Sequence, residues 1–171
     1  MSRSPQGIER VPGPTTTGQV RRARPEEAEA LSELALRSKA HWGYDAEFLK
    51  ACREELSVTP ESIEAGHVYV LESSGKAIAF YTLVKWNADI ELGHLFVDPA
   101  EIGEGAGRTL WEDAVERAAD LGYERLLIQS DPNAEGFYRG LGAERIGDVP
   151  SKARAGRTLP LFVYPLTDAV D

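Results

Sequence analysis

Apolar and polar positions change period along the chain, and each change predicts an element. After Pro25, Leu31, Leu34 and Ala35 form one helical stripe, and Phe48, Leu49, Cys52 and Leu56 form another. Glu26 and Glu27 suit a first helical turn, Asp45 is an N-cap type, and Thr59-Pro60-Glu61 starts a further short helix. Beyond Gly66 the period falls to two. His67–Glu72 and Lys76–Trp86 read as strands joined at Ser74-Gly75, and Asn87-Ala88 turns into a third strand holding Glu91 and Gly93. Helical spacing returns in Leu110, Trp111, Ala114, Val115, Ala118 and Leu121, and Gly122 stops it. Arg125–Ser130 is almost continuously apolar, the mark of a strand covered on both faces. A helix over 133–141 and strands at Ala143–Gly147 and Pro160–Pro165 follow, with a loop over 148–158 carrying Lys152, Arg154 and Arg157. Gln19–Ala23 supplies a first strand. The order is that of an α/β fold with a sheet of mixed pairing. Residues 1–17, rich in Pro, Gly, Ser and Thr, are expected to be a disordered tail, and 18–171 a single domain.

The chemistry concentrates between Glu91 and Gly122. A strand ends at Asp98-Pro99, Gly103, Gly105 and Gly107 alternate, and a long amphipathic helix begins. The first amides of a helix lack internal partners, and its dipole makes that end partly positive. Glycines beside it let an anion approach the backbone, so the unit describes a phosphate or pyrophosphate cradle. Two nucleotide motifs fail here. No lysine follows the glycines as a Walker loop requires, and Gly-x-Gly-x-x-Gly breaks at Arg108 and at Leu110.

The loop Ile102-Gly103-Glu104-Gly105-Ala106-Gly107-Arg108 resembles the Gln/Arg-x-x-Gly-x-Gly/Ala signature of the GNAT superfamily, the acyl-CoA-dependent N-acyltransferases. LFVDPAEIGEGAGRTLW and, further on, DPNAEGFYRGLGAE are similar to two successive blocks of that family. Ile102 departs from the usual Gln/Arg, and Glu104 adds a negative charge where basic residues are common. The resemblance implies a mixed, mostly antiparallel central sheet of about six or seven strands flanked by about four helices. It implies acetyl-CoA as co-substrate, bound by Gly103, Glu104, Gly105, Ala106, Gly107 and Arg108 and by the backbone of Leu95, Phe96 and Val97. Asn133 is carried over as a further cofactor contact, although strict family spacing from the tyrosine falls on Asp131. Tyr138 matches the family tyrosine near the thioester sulfur, and Glu91 the position of a general base. His94, with an ordinary pKa of ~6.5, is an alternative base on the opposite strand face. Gly93 suggests a β-bulge or a close backbone approach to a ligand, and the resemblance implies that the bulge parts its strand from the next. His41, Trp42 and Tyr44 fall where relatives line the acceptor site. The resemblance thus implies acetyl transfer to a primary amine of a small molecule or peptide. The alternative is an acyl-CoA-binding module without turnover. Dimers are common in the family, so a homodimer is compatible with it.

Composition narrows this further. A length of 171 residues, 42% hydrophobic and 27% charged, suits one globular domain. The net charge of −9 argues against nucleic acid as a partner. A single cysteine, Cys52, excludes an intramolecular disulfide, and no His/Glu spacing fits a metal site. No stretch is long and apolar enough to span a membrane, and the N-terminus has no secretory h-region, so a cytoplasmic location is expected.

Overall fold

A computed structural model describes residues 18–152 and 154–166. The tail expected over 1–17 lies outside the described residues. Among the described residues seven strands form one sheet: β1 (Gln19–Arg22), β2 (His67–Ser73), β3 (Lys76–Trp86), β4 (Asp89–Val97), β5 (Arg125–Gln129), β6 (Glu144–Pro150) and β7 (Thr158–Pro165). Their order across it is β1-β2-β3-β4-β5-β7-β6. All neighbours pair antiparallel except β4 and β5, which are parallel. The described residues also form five α-helices: α1 (Ala28–Ala40), α2 (Ala46–Leu56), α3 (Pro60–Ala65), α4 (Ala106–Asp120) and α5 (Glu135–Gly140).

Two apolar clusters sandwich the sheet. On one face Leu31, Leu34 and Ala35 of α1, Phe48, Cys52 and Leu56 of α2 and Ile63 of α3 pack on Val68, Val70 and Phe80. On the other, Leu110, Trp111, Ala114 and Ala118 of α4 and Tyr138 of α5 pack on Tyr81, Leu83, Leu92, Leu126, Ile128 and Phe162. The apolar run of β5 follows from burial: Leu126 and Ile128 join the second cluster, and Leu127 between them is buried as well. Local signals fix the helix starts. The Asp45 carboxylate accepts from the Phe48 amide at 2.7 Å, and Thr59 and Ser62 cap α3 reciprocally.

Several boundaries differ from the sequence pattern. The helix expected over 133–141 is a 3₁₀ turn, Pro132–Ala134, followed by α5. The Asp131 carboxylate accepting from the Asn133 amide at 2.8 Å sets that tight turn. The strand expected at Ala143–Gly147 continues to Pro150, so the connecting loop shortens to 151–157. Proline is tolerated there because β6 is the sheet edge and its N–H is not needed.

Candidate active site

The site lies where β4 and β5 part. They pair only over Ile90–Leu92 and Leu126–Ile128. Immediately beyond, β4 has a bulge: His94 faces Thr82 and Leu92 faces Leu83, leaving Gly93 as the extra residue. Glycine is required here, because a Cβ on Gly93 would stand 2.8 Å from Thr82 Oγ1 and 3.0 Å from Val84 Cγ2. A cavity of about 630 Å³ opens at the split, and β4 runs along it from Glu91 to Val97.

The bulge corrects one reading of the sequence. Strict alternation puts Glu91 and His94 on opposite faces, but the extra residue resets the alternation, so both face the α1–α2 side. The packing agrees: Leu92 and Leu95 join the α4 cluster, whereas Phe96 joins the α1–α2 cluster. His94 Nε2 lies 3.2 Å from the carbonyl oxygen of Glu55, near the C-terminus of α2. A carbonyl only accepts, so Nε2 carries the hydrogen and Nδ1 the lone pair. That Nδ1 is buried without a hydrogen-bond partner among the described residues, as is Thr82 Oγ1. Burial holds the His94 pKa below its ordinary value, against the opposing hydrogen bond to Glu55. Glu91 is partly buried, and burial raises its pKa; Lys152 pulls it down, and Glu55 pushes it up.

At the other end of the cavity stand Gly103, Gly105, Ala106, Gly107 and Arg108, with Ile102 and Phe137 exposed beside them. Gly103 and Gly105 have φ of +92° and +88°, conformations that side chains resist. Gly105 is the N-cap of α4, no side chain caps that end, and no acidic residue sits in its first turn. Gly107 is small for a different reason: its Cβ would lie 3.2 Å from the Phe137 ring. Glu104 is not part of the cavity lining, whereas Leu95, Phe96, Val97 and Asn133 are.

Tyr138 reaches the cavity from α5, only 6% exposed, its ring packed 5.7 Å from Trp111. Burial, with the charge of Asp131 behind it, raises its pKa well above the ordinary tyrosine value. The hydroxyl therefore keeps its proton at neutral pH.

Asp131 is the residue whose importance the sequence did not reveal. Its carboxylate receives Lys39 Nζ at 2.5 Å, the Tyr44 hydroxyl at 3.0 Å and Asn133 Nδ2 at 3.0 Å. Arg157 lies 3.9 Å away and donates to the Tyr44 hydroxyl oxygen at 2.9 Å. Burial pushes the Asp131 pKa up, but the Lys39 hydrogen bond and charge outweigh it, and the net displacement is downward. Of the aromatic cluster, Trp42 lines the cavity and is 47% exposed. His41 stacks edgewise on Trp42, and Tyr44 belongs to the Asp131 network; neither lines the cavity. The only signals for that network were single charged residues, separated by 92 positions in the case of Lys39 and Asp131.

The residues fit an acyl-CoA. An uncapped helix end with glycines in left-handed conformation can take the pyrophosphate, and the parted β4 edge can take an amide-bearing arm. Among the described residues no group of His, Cys, Asp and Glu could hold a metal ion, and no helix is long and apolar enough to cross a membrane.

A mixed seven-stranded sheet, split beside a glycine loop at a helix N-terminus, defines an acyltransferase-type architecture. A family model, the acetyltransferase (GNAT) domain, matches residues 24–157, and the chain belongs to that family. Similar solved structures include a GCN5-related N-acetyltransferase from Rhodopseudomonas palustris. It is 18% identical with a TM-score of 0.73, over 88% of this chain and 97% of that one. The PaiA N-acetyltransferase of Thermoplasma acidophilum, in complex with coenzyme A, is 18% identical with a TM-score of 0.71, over 88% and 99%. The protein yncA of Salmonella typhimurium, with its cofactor acetyl-CoA, is 19% identical with a TM-score of 0.65, over 91% and 98%. At these identities the likeness shows the fold. Comparison with curated proteins gives no match.

Proposed function

We propose that this protein is an acetyl-CoA-dependent N-acetyltransferase that acts on a primary amine of a small molecule or peptide by direct attack. The observation that carries the reading is the β4–β5 split at the Gly93 bulge, continuous with the uncapped α4 N-terminus in one cavity. The glycine loop, Arg108 and the β4 backbone from Leu95 to Val97 are the residues that would hold acetyl-CoA, with Asn133 at the rim. When bound, acetyl-CoA supplies an activated thioester carbonyl. An amine reaches such a site mostly protonated at neutral pH, so a base must take its proton. Glu91 serves, because its burial raises its pKa toward that task. His94 is the weaker candidate: its lone pair lies on a buried Nδ1, and burial disfavours its protonated form. Tyr138 gives its hydroxyl proton to the departing thiolate, a role supported by its raised pKa and its place in the cavity lining. Holding the reactants together at the split supplies much of the remaining acceleration.

The test is release of free CoA thiol from acetyl-CoA across a panel of amines, polyamines, amino acids and peptides, alongside calorimetric binding of acetyl-CoA. Gly105→Asp places a carboxylate at the α4 N-terminus and should abolish that binding in a folded protein. Unchanged affinity in this variant refutes the cofactor site. Tight binding with no turnover on any amine leaves an acyl-CoA-binding module instead.

A further inference from the structure

The loop joining β6 to β7 carries three cations, and two of them are used to anchor it. Arg157 donates to the Tyr44 hydroxyl at 2.9 Å and lies 4.8 Å from the centre of the Phe48 ring. Arg154 lies 4.7 Å from the same ring centre and 3.9 Å from the Asp45 carboxylate. These contacts pin the loop across the α1–α2 connection and make it a wall of the cavity. The third cation, Lys152, lines the cavity and forms no ion pair with any described residue. Glu91, Glu55 and Trp42 line the same cavity.

This arrangement is costly for a base. An unneutralised ammonium stabilises the carboxylate form of Glu91 and so weakens it as a proton acceptor. Lys152 acts on Glu91 in that direction, and more strongly than Glu55 acts against it. The conflict disappears if the acceptor itself brings an anion.

We propose that the acceptor is a free amino acid or a related amino-carboxylate, whose carboxylate pairs with Lys152 while its amine faces Glu91. The assignment rests on the acyl-transfer reading above and names its substrate class. A diamine would set its second ammonium against Lys152, and the α-amine of a peptide has no carboxylate beside it. Seating the carboxylate cancels the pull of Lys152 on Glu91, so the base gains strength only when the correct acceptor is present. The ammonium gives one proton to Glu91, the N–C bond forms as the C–S bond breaks, Tyr138 protonates the departing thiolate, and the second proton shed by the acylated nitrogen restores the Tyr138 hydroxyl. The products are an N-acetyl amino acid and CoA.

The experiment uses the full chain with acetyl-CoA and matched acceptors: each amino acid, its carboxamide, its decarboxylated amine, and a diamine. Amino acids should be preferred over their carboxamides in kcat/KM. A hydrogen-bonded charge pair in a partly exposed cavity is worth roughly tenfold to a hundredfold. Lys152→Met should erase that preference, with the loss in KM, and Lys152→Arg should restore most of it. Preference for the carboxamide or the diamine overturns the proposal, as does equal loss on all acceptors in Lys152→Met. Calorimetric titration of amino acids into the CoA-saturated protein separates the two levels. If nothing is acetylated but amino acids bind the wild type and not Lys152→Met, acyl transfer falls and the amino-carboxylate site stands. If they bind neither, the proposal falls as well.

Discussion

Asp131→Asn tests whether the network around this carboxylate holds one wall of the cavity together. Lys39 and Asp131 are 12% and 15% exposed at their side chains, and Arg157 is 18% exposed. The substitution leaves two poorly solvated cations facing a neutral amide. Removing one partner of a buried pair costs about 3–5 kcal/mol, because the remaining charge is uncompensated. Asparagine retains an oxygen that can accept from Lys39, so the lower limit, about 3 kcal/mol, is expected. For a chain of this length that is a fall in Tm of roughly 6–12 °C. Lys39→Met should cost less, since Arg157 still faces the carboxylate at 3.9 Å. The double variant should lose clearly less than the sum of the two single losses, because it removes both members of one interaction. The pH dependence has a definite sign. The folded pKa of Asp131 lies below the ordinary value, so its stabilising effect is fully present above about pH 4. It is lost as the pH falls through the folded pKa, and wild type and Asp131→Asn should converge in acid. Urea unfolding of the four proteins from neutral to acid pH measures all of this. Strictly additive losses, or a loss under about 1 kcal/mol in Asp131→Asn, would show that the pair is held at the surface and does not organise the wall.

Three further substitutions probe the rest of the site. Glu91→Gln should lower kcat/KM most at low pH, the gap narrowing as the amine deprotonates by itself. Because the folded pKa of Glu91 is raised, the charged residue costs stability above its ordinary pKa, so Glu91→Gln should also melt higher at neutral pH and lose that advantage in acid. Tyr138→Phe should reduce kcat by about 10²-fold if water can substitute, with folding retained; a full-rate variant would demote the hydroxyl to packing. Gly93→Val should destabilise the protein and depress acetyl-CoA affinity, because its Cβ collides with Thr82 and Val84 at the bulge; unchanged calorimetric affinity would remove the bulge from the binding site.

Local patterning determined a great deal here. The periods of two and 3.6 are short-range properties, so the strand meander, the glycine loop and α4 were legible from neighbouring residues alone. The same holds for the helix starts at Asp45 and Thr59, where the cap and its amide lie three residues apart. The glycines announced a turn before a helix, and positive φ at Gly103 and Gly105 is the reason those residues are glycine.

Tertiary structure decided what pattern could not carry. Alternation assumes an unbroken ladder, and only the pairing of β3 with β4 shows that Gly93 is skipped and that His94 shares a face with Glu91. The sequence places Gly107 in the anion cradle, and only the packing shows that its missing Cβ also makes room for Phe137 from another helix. Asp131 fell at a family position where asparagine was expected, yet its partners Lys39, Tyr44 and Arg157 come from distant parts of the chain. Burial sets the pKa of Glu91, His94 and Tyr138, and burial depends on which elements pack together. A single sequence records which charges exist; packing alone determines which of them lose water and which partner each one meets.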